Sequence, residues 1–175
     1  IDRGLVGSEM CIRDRNKPKF VCLVPEKRNE VTTEGGLNLN KNFNLIKKIV
    51  TTLNKRKIRT SLFIDPSIKN IELSKKIGAN CVELHTGKIS RLIKNKKNFS
   101  NELTKIKKCS KFGFQNNIEI HAGHGLDYKT TKILNKISYI TEYNIGHFII
   151  GESIKIGISK AVSYTHLTLP TIRLV

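Results

Sequence analysis

Ile118-Glu119-Ile120-His121-Ala122-Gly123-His124-Gly125-Leu126 is the stretch on which the reading of this chain turns. A short alternating run ends abruptly in two histidines threaded between glycines. That is how a strand looks when it delivers a reactive side chain to the rim of an α/β protein. The same design recurs downstream in Tyr143-Asn144-Ile145-Gly146-His147 and upstream in Cys81-Val82-Glu83-Leu84-His85-Thr86-Gly87. Three strand-like runs, each ending in polar residues and glycine, point to one shared site.

Working outward, strand and helix patterns alternate. Strands are expected at Phe20 to Val24, Thr60 to Asp65, Cys81 to His85, Ile118 to His121 and Tyr143 to Ile145. Helical spacing of apolar residues marks Asn42 to Lys55. Ser67 reads as the N-cap of a helix through Ile77 with Gly78 as its C-cap. Phe99 to Phe112 reads as a helix stopped by Gly113, and Lys129 to Ile137 and Glu152 to Val162 as two more. Near-continuous apolar strands in a β-α repeat predict a parallel sheet covered by helices. No G-x-G-x-x-G follows a strand, which argues against a dinucleotide-binding sheet. Polar residues at several strand ends favour a (β/α)8 TIM barrel. Such a barrel has eight strands in about 250 residues, so the expectation is an α/β chain holding an incomplete barrel, about the last five β-α units.

The ends break the pattern. Residues 1–16 and 163–175 resemble translated adapter sequence and read as non-native tails around a partial barrel domain at 17–162, which assigns no role to His166. The start lacks the basic and apolar regions of a signal peptide.

The chain has 175 residues and a net charge of +18, with 38% hydrophobic and 26% charged residues, values of a globular domain. No apolar run is long enough for a membrane span. The charge keeps a basic nucleic-acid-binding domain open as an alternative. Against it, the lysines fall on helical segments (Lys47-Lys48, Lys75-Lys76, Lys94 to Lys97, Lys107-Lys108), and the 6% of aromatic residues form no alternating stacking platform. Cys11, Cys22, Cys81 and Cys109 show no C-x-x-C spacing, which argues against structural zinc and fits a reducing cytoplasm.

Strand alternation sorts the candidates by face. Cys81, Glu83 and His85 share one side, and so do Glu119 and His121. A charge under a helix layer is costly, so these polar faces should point into the barrel, with Val82, Leu84, Ile118 and Ile120 beneath the helices. His124, between two glycines, can give or take a proton near neutral pH; the plainer reading is a loop histidine at a helix start. Gly146-His147, with Gly151 beyond it, suits phosphate binding through backbone N–H groups. His85, His121, His124 and His147 match no compact metal motif, and no metal is expected.

Beyond these readings, the run Cys22-Leu-Val-Pro-Glu-Lys-Arg-Asn-Glu-Val-Thr-Thr-Glu-Gly-Gly-Leu37 resembles the fourth-strand signature of the pyridoxine 5'-phosphate synthase family. Ser61-Leu-Phe-Ile-Asp65, Glu83-Leu-His-Thr-Gly87, Ala122-Gly-His-Gly-Leu126 and Asn144-Ile-Gly-His147 follow in that family's order, so the likeness covers about residues 17 to 162. The resemblance implies a cytoplasmic TIM-barrel transferase of vitamin B6 biosynthesis, a homo-octamer. It condenses 3-amino-2-oxopropyl phosphate with 1-deoxy-D-xylulose 5-phosphate, releasing phosphate and water, without a cofactor or metal. It makes His124 the proton donor and Glu83 a stabiliser of transition-state charge. Thr32 and Gly125 become substrate contacts, and Gly146 and His147 a phosphate-binding turn. The family's first three strands, with further acid/base residues, have no counterpart here, which implies an N-terminally truncated fragment inactive by itself. Another phosphate-binding TIM-barrel enzyme stays open beside this reading.

Overall fold

The computed structural model describes residues 18–25 and 35–168. They form five strands and seven helices: β1 (Phe20–Leu23), α1 (Phe43–Lys55), β2 (Arg59–Ile64), α2 (Ile68–Ile77), β3 (Cys81–His85), α3 (Gly87–Lys94), α4 (Ser100–Gln115), β4 (Glu119–Gly123), α5 (Tyr128–Leu134), β5 (Glu142–Asn144), α6 (His147–Ile156) and α7 (Ile158–Thr168). The strands make one parallel sheet in sequence order, β1-β2-β3-β4-β5. Strict sequential order, without the reversal of a doubly wound sheet, is the order of a (β/α) barrel. The sheet curls into a half-barrel, the incomplete TIM barrel expected from the sequence.

The two faces divide as alternation requires. Val82, Leu84, Ile118 and Ile120 are buried with Ile71, Ile77, Ile106 and Cys109 of the covering helices. Glu83, His85, Glu119 and His121 take the opposite, concave side. The lysines at 47–48, 75–76, 94, 96–97 and 107–108 are exposed across several helices.

Several helix boundaries depart from the sequence reading. Gly113 does not stop its helix. It lies within α4, where a Cβ would come within 2.3 Å of Ile120 Cδ1, so its absence lets the helix press onto β4. Gly78 does end α2, in the left-handed conformation (φ 93°), while Ser67 makes no side-chain capping bond. The helix placed at Lys129 to Ile137 is Tyr128–Leu134, capped by Asp127, whose carboxylate accepts from the Thr130 N–H at 2.7 Å. The single last helix is two, parted at Gly157 (φ 84°). The second of these crosses residue 162 and runs to Thr168. Tyr128 ties it down: its hydroxyl donates to the Ala161 carbonyl at 2.9 Å, and its ring meets Phe148 and Tyr164. Helix α3 had been missed, because only Ile89, Leu92 and Ile93 supply its apolar face.

Candidate active site at the strand ends

The C-terminal ends of β2 to β5 open onto a cleft of about 880 Å³. Its walls include Asp65, His85, Gly87, Arg91, His124, Gly125, Asn144, Gly146 and His147. Parallel register places these side by side: Ile64 is level with Leu84, and His85 with Gly123 and Asn144. Thus four of the expected residues, His124, Gly125, Gly146 and His147, meet at one cavity. Thr32 lies outside the described residues.

His124 has φ 72°, the left-handed region that non-glycine residues seldom enter. Gly125, also at φ 72°, continues the turn. Buried Thr86 holds it: its hydroxyl donates between the carbonyls of Gly123 (2.7 Å) and His124 (2.8 Å), and its N–H donates to Gly123 O. The chain therefore carries the strained conformation at His124 itself, not only at its glycines. Gly87 makes the space beneath, since a Cβ there would lie 2.7 Å from His124 Cδ2 and 2.8 Å from His85 Nε2. The two imidazoles stand 4.9 Å apart between centroids, with the Phe63 ring edge-on to both.

Glu83 sits one layer deeper, on the concave face. Its Oε2 accepts from Asn144 Nδ2 at 2.8 Å and from the Cys22 thiol at 3.8 Å, spanning β1, β3 and β5. Burial, the largest influence, raises its carboxyl above the ordinary range; the Asn144 bond and the His121 charge only partly offset this. A carboxyl so placed exchanges a proton more readily near neutral pH than an exposed one. Burial likewise pushes the Cys22 thiol up to about 12.

Toward the other end of the strands, His121 is buried between two carboxylates. Nε2 lies 3.1 Å from Glu119 and Nδ1 3.4 Å from Glu142, while Phe20 stacks on the ring. Arg59 completes the group through an ion pair with Glu119. Burial acts to raise the Glu119 carboxyl, but the His121 and Arg59 bonds together hold it below the usual value. His121, noted in the sequence as a possible ligand, is thus held between carboxylates away from the cleft. Among the described residues no group of three or more His, Cys, Asp or Glu could hold a metal.

The sequence reading missed several cleft residues. Asp65 appeared as a strand end and as the last residue of the family-like run Ser61-Leu-Phe-Ile-Asp65, with no role of its own. Asn144 carried no signal of its own, since its partner is 61 positions away. Lys88, Arg91 and Lys94 sit on the unforeseen α3 and line one side of the cleft. Their spacing of three residues was the available signal, masked by the many other lysines.

The family model described as "Pyridoxal phosphate biosynthesis protein PdxJ" matches residues 7–169. The chain belongs to this family. It is 63% identical over 149 residues to pyridoxine 5'-phosphate synthase of Pelagibacter ubique (strain HTCC1062), a match spanning 85% of this chain and 62% of that protein. It is 46% identical over 146 residues to the synthase of Ehrlichia canis (strain Jake), over 83% of this chain and 59% of that protein. The chain therefore spans about three-fifths of the length of these relatives. Among solved structures, the Amycolatopsis orientalis BexX/CysO complex matches with a TM-score of 0.58 at 11% identity, covering 95% of this chain and 65% of that one, a likeness of fold alone. Family membership gives the shared cleft a context: the PdxJ-family strand ends that looked alike in the sequence do converge.

Proposed function

We propose that this chain supplies the His124-bearing half of a pyridoxine 5'-phosphate synthase barrel. The observation that carries the proposal is the convergence of His124, Gly125, Gly146 and His147 on one cleft, with Glu83 beneath it hydrogen-bonded to Asn144 of the cleft wall. The substrates are then 3-amino-2-oxopropyl phosphate and 1-deoxy-D-xylulose 5-phosphate. His124 donates protons during the dehydrations. Glu83 stabilises positive charge as it develops above it. The N-terminus of α6, at Gly146-His147, takes a phosphate on its unpaired N–H groups, and Gly125 lets substrate approach the backbone. Thr32 contacts substrate. No metal or redox cofactor enters this chemistry. Self-assembly, a homo-octamer in the family, and a cytoplasmic setting belong to the same proposal; among the described residues no helix is long and apolar enough to cross a membrane.

The 175-residue chain alone should not turn over. Its described strands leave β1 and β5 as open edges, and acid/base groups of the family's first three strands are needed to complete the set. The test is a chimera in which this chain replaces the matching 62% of the Pelagibacter ubique synthase. Expressed in a pyridoxine auxotroph lacking its own synthase, the chimera should restore growth without added vitamin, and its His124→Asn variant should not. A soluble, folded chimera that never restores growth would overturn the proposal.

A further inference from the structure

The cleft holds a second imidazole with its own carboxylate. Asp65 Oδ1 lies 3.0 Å from His85 Nδ1, the kind of contact by which a carboxylate orients an imidazole and, in the neutral ring, places the proton on Nδ1 and leaves the lone pair on Nε2. The His85 side chain is only 11% exposed, whereas that of Asp65 is 55% exposed, so the carboxylate is hydrated while the base is sheltered. His85 Nε2 is buried and has no hydrogen-bond partner among the described residues. An orphaned buried nitrogen is costly unless something binds there. Its position is set by Gly87, on which both His85 Nε2 and the His124 ring close in.

Register explains why the pair exists. Ile64 is level with Leu84, so Asp65 and His85, one residue further on each strand, emerge together at the rim. An acid-base pair oriented by a third group is the usual way a protein makes an imidazole directional.

We infer that Asp65 and His85 form a catalytic dyad of the cleft, His85 Nε2 being the proton acceptor that works opposite the donor His124 on a hydroxyketone phosphate. This rests on the reading given under Proposed function. The Nε2 lone pair takes a proton from the carbon beside the substrate carbonyl, and the C–H electron pair moves to the carbonyl oxygen as the enol forms, protonated there by His124. As the enol reverts, its electrons expel the neighbouring hydroxyl, which leaves as water with the proton held on His85, and the enol proton returns to His124. Asp65 stays ionised throughout and stabilises the transient imidazolium.

The chimera provides the kinetic test. His85→Asn keeps a side-chain N–H near the place of Nδ1 but removes Nε2. It should lower kcat by 100-fold or more, the range expected for loss of general-base catalysis, with KM changed less than about threefold. Asp65→Asn should lower kcat about 10-fold or more. Added imidazole should restore part of the rate to His85→Gly, a rescue that a merely structural role would not give. An active chimera whose His85→Asn variant keeps its kcat would overturn the inference and leave the synthase reading intact. A chimera inactive even with wild-type His85 would overturn the synthase reading and this catalytic role with it. The dyad's geometry is read separately, on the purified chain, by long-range 1H–15N NMR of the imidazoles. At neutral pH His85 should be in the Nδ1–H form, shifting toward Nε2–H in Asp65→Asn. An Nε2–H form in the wild type would overturn the dyad whatever the kinetics.

Discussion

Gly123 is what allows Glu83 to cross the strand beside it. A Cβ at position 123 would stand 1.8 Å from Glu83 Oε1 and 2.6 Å from its Cδ. The carboxylate therefore lies over the glycine of β4 and reaches Asn144 on β5, two strands away. The Ala-Gly-His-Gly motif thus carries a second function beside the turn at His124.

Gly123→Ala should push the Glu83 carboxylate off Asn144. The expected cost is about 1–3 kcal/mol of stability, the usual range for overpacking a filled interior, read from denaturant midpoints. In the chimera it should also remove most activity. Gly146→Ala, where a Cβ would meet nothing within 4 Å, is the contrasting control for stability; its midpoint should stay within about 0.5 kcal/mol of wild type.

Glu83→Gln should stabilise the chain at neutral pH and abolish the synthase activity of the chimera. The sign follows from the raised carboxyl. A folded state that holds the proton more tightly than the unfolded one loses stability as pH rises from the ordinary carboxylate range through the raised value. An amide removes that loss and can still accept from Asn144. Unfolding at pH 4 and pH 8 should show the variant's advantage only at the higher pH.

Glu119 should act in the opposite sense. Its carboxyl is held low by His121 and Arg59, so its contribution is present above the unfolded value and is lost as pH falls through the lowered folded one. Glu119→Gln should therefore destabilise at pH 7 and matter little at the acid end. Glu119 is partly exposed, so solvent screening keeps the effect well below that of a buried pair.

Gly113→Ala should destabilise despite the better helix propensity of alanine. Overpacking against Ile120 costs about 1–3 kcal/mol, whereas alanine gains about 1 kcal/mol over glycine in a helix. Because the clash is with Ile120 Cδ1, trimming that methyl with Ile120→Val should recover most of the loss in a double-mutant cycle.

Much of this molecule was legible locally. The β3 bounds, Cys81 to His85, and the α2 bounds at Ser67 and Gly78 followed from alternation and glycine chemistry, because those patterns lie within a few residues. Sorting Glu83 and His121 away from Val82 and Ile120 needed only the two-residue period. What was not legible depends on neighbours distant in the chain. Gly113 read as a helix stop because its reason, the Ile120 side chain, sits on a different element. Asp65 and Asn144 gained meaning only once the strand order put them beside His85 and Glu83. Helix α3 was hidden by its short length and by the lysines that fill its exposed side.

The most direct measurement is the product formed by the purified chimera from 3-amino-2-oxopropyl phosphate and 1-deoxy-D-xylulose 5-phosphate. The expected result is pyridoxine 5'-phosphate with an equal amount of released phosphate, and a rate at least about 100-fold lower for His124→Asn, as expected for a lost general acid. A well-folded chimera that forms no pyridoxine 5'-phosphate, or one that forms it at the same rate without His124, would contradict it.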